Sequence, residues 1–576
     1  MVPAGIKKGM QRMKVKVVID KKKTKTIDAD PTATLAQIAE QFQPDRPYRI
    51  LLARVNGNDR ELADKLMEAA AFAGDKMTTI EFLDMRTHSA DLTYQRGLSM
   101  IYLKAVKDVF GVDAVIDNTL NKGFYTKPRI GREVTSEDIR KIENRMRRIV
   151  AEDLPITRRY MSRDDGVAKW YSEGYEGKAV MLKEMMDKDY RPVFYELDGY
   201  SNYFFGPMVP SAGYIEHFKL KKYDDRAILV RFPYHGKPDE LPEYVNDKLI
   251  YEAFRETHDW LKLLGSQYLN EFNKVHREGG IKDLILLSEA LHEKKVAEIA
   301  DVITQKKKRI ILIAGPSSSG KTTFARRLCI QLRVNGLQPL YLGTDDYFVN
   351  RTDTPRDEDG NPDYEGLDAL DVKLFNKNMN DLLDGKEVDL PEFDFIEGVK
   401  RFGKRITSIS EDQPIVIEGI HALNDKLTSQ INPRTKYKIY ISPLTQMNID
   451  VHNRVASTDG RMLRRMVRDY KYRGHTAAAT IDAWPSVRAG ENKNIFPYTN
   501  SADVLFNSNL CYETALLKKY AEPLLQEIPP GSPQYSEARR LLDFLRFYEV
   551  IEEDKYVPNN SILREFIGGS VFTEEK

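Results

Sequence analysis

Polar and apolar positions alternate through residues 13–27, MKVKVVIDKKKTKTI, on either side of a lysine-rich turn, and this predicts a β-hairpin. After a turn at Pro31-Thr32, TLAQIAEQF reads as a helix, while ILLARVNGN and TTIEFLD read as further strands. From residue 98 the apolar spacing changes to i, i+3, i+4: LSMIYLKAVKDVFG predicts a helix stopped by Gly111. SEDIRKIENRMRRIVAEDLP predicts a second helix, with Ser136 as N-cap, acids in its first turn, basic residues late, and an end before Pro155. RPVFYEL and RAILVRF predict short strands around the turn-rich GPMVPSAG, and residues 245–305 return to helical spacing.

Beyond Arg309 the pattern changes again. RIILIA, PLYLG, PIVIEG, YKIYIS and ADVLFN are continuous apolar runs separated by helical segments. Such runs belong to strands buried on both sides, so a parallel sheet covered by helices on both faces is predicted. The chain is thus expected to be a multidomain α/β and α+β protein: a small roll (1–86), an α+β module (87–240), a helical connector (241–304) and an α/β domain (305–576).

Composition narrows this only in places. The 576 residues suffice for about three to five domains at roughly 100–200 residues each. With 88 basic and 87 acidic side chains the net charge is +1, which argues against nucleic-acid binding driven by overall charge and leaves only a local basic patch. Hydrophobic residues at 41% exclude a disordered chain. Cys329 and Cys511 cannot build a disulfide framework or an all-cysteine zinc site, in keeping with a reducing compartment. There is no signal-peptide core, no run of 18 apolar residues and no lipidation box in the tail FTEEK, so a soluble, cytoplasmic protein is expected, with no membrane partner.

Residues 315–322, Gly-Pro-Ser-Ser-Ser-Gly-Lys-Thr, match the phosphate-binding loop G-x-x-x-x-G-K-[ST], between a buried strand and an amphipathic helix. Gly315, Pro316, Ser317, Ser318, Ser319, Gly320, Lys321, Thr322 and Thr323 are therefore expected to hold a nucleotide. Backbone N–H groups and the helix N-terminus face the phosphates, Lys321 reaches the terminal ones, and Thr322 ligates Mg²⁺. The next strand runs into Thr344-Asp345-Asp346, where Asp346 is expected to orient or deprotonate an acceptor hydroxyl; Asp345 ranks behind it as a turn residue. Glu418 closes another buried strand and is expected to hold the Mg²⁺ hydration shell. DGRMLRRMVRDYKYRG, residues 459–474, carries Arg461, Arg464, Arg465, Arg468, Lys471 and Arg473, a candidate lid that neutralises phosphate charge and excludes water. Asp363-Tyr364 and Phe393-Asp394-Phe395 could bind a sugar and stack on a base; ordinary packing is the alternative.

As a set, GPSSSGKTT, TDDYF, NPDYEGLDALD, FDF, VIEGIHAL, RMLRRMVRD and PNNSILREFIGG resemble the phosphoribulokinase/uridine kinase family over about residues 305–575. The resemblance implies an ATP- and Mg²⁺-dependent kinase acting on a nucleoside 5′-hydroxyl, with Asp346, Lys321 and Arg465 catalytic. Thr322 and Glu418 would serve the metal, and Arg464, Arg465, Arg468 and Arg473 the phosphates. Asp363, Tyr364, Phe393 and Phe395 would bind the acceptor. Uridine kinases carry a histidine shortly after the Asp-Phe pair; here Ile396-Glu397-Gly398 follow, which leaves the base open and admits another small hydroxyl acceptor.

The front half resembles threonyl-tRNA synthetase: a TGS-type, ubiquitin-like β-grasp domain at 13–85, then its editing-type domain through LKAVKDVFG, KIENRMRRIVAEDLPI and GPMVPSAG. The H-x-x-x-H of that editing site falls on Arg96 and Met100, and its C-R-G-P-H segment on Phe204-Phe205-Gly206-Pro207-Met208, so no tRNA editing is expected; His88 lacks a second ligand. An RNA- or ribosome-associated protein using the kinase fold as an ATP switch is the second reading, and a homo-oligomer stays open.

Overall fold

The computed structural model describes residues 12–572 apart from 20–22, 72–76, 121, 357–359 and 361. The lysine-rich turn of the first hairpin, Asn361 and the tail beyond Phe572 lie outside the described residues. Val15 and Val17 alternate inward from β1 (Met13–Val18), which pairs antiparallel with β2 (Thr24–Ala29). Helix α1 (Leu35–Ala39) starts from a capping box in which Thr34 and Gln37 satisfy one another's backbone N–H groups. With β3 (Ile50–Val55), β4 (Asn58–Arg60) and β5 (Thr78–Asp84) the sheet runs β2-β1-β5-β3-β4, and β1 and β5 are parallel. Leu35 and Ile38 of α1 close over Val15, Val17, Ile80 and Phe82.

Helix α2 (His88–Phe110) starts ten residues before the predicted helix, because Ala90 and Tyr94 bury an otherwise polar first stretch; Gly111 (φ 68°) ends it as expected. Antiparallel β6 (Ala114–Leu120) and β7 (Gly123–Pro128) follow. In α3 (Ser136–Ala151) the cap is Thr135, not Ser136: its hydroxyl accepts from Asp138 N–H while the Asp138 carboxylate accepts from Thr135 N–H. Strand β8 (Thr157–Tyr160), helices α4 (Arg163–Ser172) and α5 (Glu176–Met185), and strands β9 (Val193–Leu197), β10 (Tyr200–Tyr203), β11 (Lys219–Lys222) and β12 (Ile228–Arg231) complete this part as sheets ordered β10-β9-β8 and β11-β12-β7-β6.

Helices α6 (Lys248–Leu263) and α7 (Ile281–Gln305), expected as a connector, lie on the next sheet: Ala253 packs with Ile310 and Leu342, and His292 sits edge-on to Phe506. That sheet is fully parallel, as the apolar runs predicted. Its strands are β13 (Ile310–Ala314), β14 (Leu340–Gly343), β15 (Ile415–Glu418), β16 (Lys436–Ser442) and β17 (Val504–Asn507), ordered β14-β15-β13-β16-β17. Helix α8 (Lys321–Val334) follows β13, and α9 (Ser457–Arg473), α10 (Ala477–Asn494) and α11 (Tyr535–Leu545) lie beyond β16. A single buried cluster runs from Trp170, Phe194 and Tyr203 through Ile299, Ile311 and Ile439 to Leu563 and Phe566, so front and back halves share a core. Among the described residues no helix is long and apolar enough to cross a membrane.

Candidate functional site

The C-terminal ends of β13, β14 and β15 converge where ligands bind in parallel α/β sheets. The loop after β13 passes so close to β16 that a Cβ on Gly315 would lie 2.1 Å from the Ile441 carbonyl oxygen. Ser318 (φ 61°) and Gly320 (φ 83°) are left-handed, which curls the loop into the N-terminus of α8. Lys321 folds back onto the loop, donating to the carbonyls of Gly315 (3.0 Å) and Pro316 (3.3 Å), and burial lowers its pKa. The Thr322 hydroxyl donates to Glu418 at 2.7 Å, and Tyr341 donates to the same carboxylate oxygen at 2.7 Å.

The two aspartates part company. Asp345 is exposed on one side, yet the groups packed around its carboxyl desolvate it; that, and then Glu418, push its pKa up to about 6, with Lys321 opposing. Asp346 forms an ion pair with Arg405 at 2.6 Å. The groove between Asp346, Arg405, Tyr341, Arg326 and Arg333 has a volume of about 720 Å³ along the outer edge of β14.

The arginines divide similarly. Arg465 donates to Ser317 Oγ at 2.8 Å and Arg461 to the Ser317 carbonyl at 3.2 Å, which sets both at the phosphate loop. Arg464 is wholly buried: Glu513 takes it through both carboxylate oxygens (2.6 Å each), and the carbonyls of Ser508 and Ser318 take the remaining donors. Asp469 gathers Arg465, Arg468 and Arg473, of which Arg473 is half-exposed. Met462, Leu463, Met466 and Val467 seat one face of α9 in the core, beside the phosphate loop.

Of the residues expected to bind the acceptor, Asp363 accepts from Glu365 N–H and meets Lys493 at 3.4 Å, and Tyr364 is half-exposed. Phe393 and Phe395 stack edge-on, 5.1 Å apart, beside Phe348, and Phe395 stays 60% exposed, open to a flat partner. Asp394 between them is spent on the turn, accepting from the N–H groups of Ile396 and Glu397. Four groups escaped sequence reasoning: Tyr341, Glu365, Glu491 and Glu565. Glu491 accepts from Ser317 N–H (3.2 Å) and pairs with Arg461, and Glu565 accepts from Thr323 at 2.8 Å. Strand alternation could have pointed Tyr341 toward Glu418; Glu491 and Glu565 carry no local signal, since they arrive from remote helices, and Glu365 sits in a turn beside Asp363.

In the front half, the residues aligned with editing ligands by the resemblance make other contacts. Arg96 donates to the carbonyls of Pro207 (2.7 Å) and Phe205 (3.2 Å), while Met100, Phe204 and Met208 are buried. Glu61 of the first sheet enters beside them, accepting from Tyr195 and from Met208 N–H. No group of three or more metal-ligating side chains occurs among the described residues.

Residues 310–515 match the model of the phosphoribulokinase/uridine kinase family. Uridine kinase from Macrococcus caseolyticus is 32% identical over 200 residues, 34% of this chain and 87% of that protein. Uridine kinase from Ligilactobacillus salivarius is 29% identical over 34% of this chain and 83% of its own length. Threonine–tRNA ligase from Bacillus velezensis is 33% identical over 188 residues, 32% of this chain but only 28% of the ligase.

Proposed function

The chain belongs to the phosphoribulokinase/uridine kinase family, fused to a front half similar to threonine–tRNA ligase, and we propose that it transfers the γ-phosphate of ATP to a nucleoside 5′-hydroxyl. The observation that carries this reading is the convergence of Lys321, Thr322, Glu418 and Asp345 on the phosphate loop. Thr322 and Glu418 are hard oxygen donors 2.7 Å apart, a set that fits Mg²⁺ shared with nucleotide phosphates. When bound, Mg²⁺ neutralises charge on the transferring phosphoryl group.

The residues then divide the work. Loop N–H groups and Lys321 hold the β- and γ-phosphates. Arg465 and Arg461 add positive charge at Ser317, where charge accumulates during transfer. Asp345 takes the proton of the acceptor hydroxyl and aims its oxygen in line; its raised pKa and its place beside Lys321 and Glu418 favour it over Asp346, which is engaged by Arg405. Asp363 holds the sugar, and Phe393 and Phe395 offer the base a stacking face. Gly398 stands where uridine kinases carry the histidine, and a side chain there would meet Arg351 at 2.8 Å, which leaves the base open. In this reading residues 1–86 form a TGS-like unit and 87–240 an editing-like one without editing chemistry, and the phosphotransferase takes in the helices from 241 onward.

The test is phosphorylation of a nucleoside panel by the full chain with ATP and Mg²⁺. Asp345→Asn should lower kcat by about 10²–10⁴-fold with nucleotide binding retained, and Asp346→Asn should cost far less. No monophosphate from any nucleoside would remove the nucleoside acceptor; a sugar or small alcohol accepted in its place would keep the kinase and change the substrate.

A further inference from the structure

Residues 443–456 connect β16 to the arginine helix α9 and have no regular structure, yet Asn448, Asp450, His452, Asn453 and Val455 are all buried. What buries them is the front half. Ile116 N–H of β6 donates to the Val451 carbonyl at 2.9 Å, and Asn448 donates to the Asp117 carbonyl at 2.7 Å. Tyr203 donates to Asp450 at 2.9 Å, Asn453 returns a bond to the Tyr203 carbonyl, and Arg454 reaches Gln95 of α2 at 2.7 Å. Loops are seldom buried, because their backbone groups need partners. Here the partners are supplied from more than 200 positions away in the chain.

At the centre is His452. One ring nitrogen lies 3.0 Å from Asp113, the other 2.8 Å from Lys178 Nζ and 2.9 Å from Asn202 Nδ2. Lys178 and Asn202 are donors and Asp113 is an acceptor, so the network assigns a neutral imidazole with its proton on Nε2, facing Asp113. Lys178 itself is 1% exposed, enclosed by the rings of Trp170, Tyr175 and Tyr203, and its charge is answered by Asp450 at 3.6 Å. Every member has a partner on the other side of the junction, so losing one strands the others in a dry interior.

Five residues after His452 the chain enters α9, whose Arg461 and Arg465 reach the phosphate loop. A second tie meets the same helix: Asp459 is gripped through both oxygens by Arg540 of α11, and α11 is touched by the first sheet, where Asp59 N–H donates to Ser536. We propose that the synthetase-like front half acts as a positioning device for phosphoryl transfer, holding α9 and its phosphate-facing arginines in register through the buried Lys178–His452–Asp113 network. His452, Lys178 and Asp113 are positioning residues; they bond to one another, Asn202 and Asp450.

The inference rests on the kinase reading for its effect on rate, so the experiment pairs rate with a measurement independent of turnover. Full-length His452→Gln, Asp113→Asn and the double variant are compared with wild type by hydrogen exchange over residues 457–473, without ligand, and by kcat and KM for ATP. Each single variant should raise exchange in α9 about tenfold or more while α2 stays protected. Each should lower kcat by about 10–100-fold, as small misplacements of catalytic groups do, with KM for ATP changed less than threefold. The double variant should match the singles, because both break one network, and Asp113→Glu should restore part of kcat. Unchanged exchange in α9 overturns the proposal whatever the activity. Raised exchange in a protein that phosphorylates no nucleoside upholds the coupling and refutes the acceptor reading instead. Effects of the two variants that multiply would overturn the single-network account.

Discussion

Asp345 and Asp346 are neighbours in the chain but sit in different electrostatic surroundings. Asp345 feels the charges of Glu418 and Lys321, whereas Asp346 pairs with Arg405. With its pKa raised to about 6, Asp345 is neutral below that pH in the free protein and ionised above it. A base must be ionised, so kcat/KM should rise through pH about 6, and the rise should vanish in Asp345→Asn, as a pH–rate profile would reveal. The stability contribution of this carboxyl has the opposite sign: its raised pKa favours folding below the ordinary carboxylate range, and that contribution is lost as pH climbs through 6. The buried Arg464–Glu513 pair tests packing instead of chemistry. Glu513→Gln leaves a wholly buried guanidinium short of its charge partner and should cost about 3–5 kcal/mol, measured by the denaturation midpoint. The sequence offered Arg464 and Arg465 as equals; that one faces Ser317 and the other Glu513 follows from the rotation of 100° per residue about the helix, which pattern alone does not phase against a neighbour.

Elements were legible where local chemistry suffices. The five apolar runs became the five parallel strands, and Gly111 stopped its helix, because burial on both faces and a left-handed cap each leave a mark in a few residues. The early start of α2 did not, because its polar first turns are held by contacts with distant strands. The phosphate loop is legible for the same local reason, and its tolerance is measurable. Gly315→Ala drives a methyl into the Ile441 carbonyl, a backbone atom that cannot swing aside. About 1–3 kcal/mol of strain should appear as weakened ATP binding in calorimetry, with the remaining fold intact by circular dichroism.

For the whole molecule, the boundary drawn at residue 305 divides a shared core. Ile299 and Ile303 from α7, and Trp170, Phe194 and Tyr203 from further forward, belong to the same buried cluster as Ile311, Phe324 and Leu516. A fragment of residues 305–576 would expose that surface and should aggregate, or melt well below the full chain, in size-exclusion and thermal unfolding measurements. Recovery of a stable, fully active fragment would mean the front half is dispensable to the kinase fold. Sequence by itself determined the phosphate loop, the parallel sheet and the family, because these rest on short runs of residues whose chemistry is read locally. Only the tertiary structure decided which aspartate lies within the field of Lys321, which arginine reaches Ser317 of the loop, and that His452 is seated among Asp113, Lys178 and Asn202. Those depend on groups brought together across hundreds of residues, and no local pattern records the direction in which a side chain will find its partner.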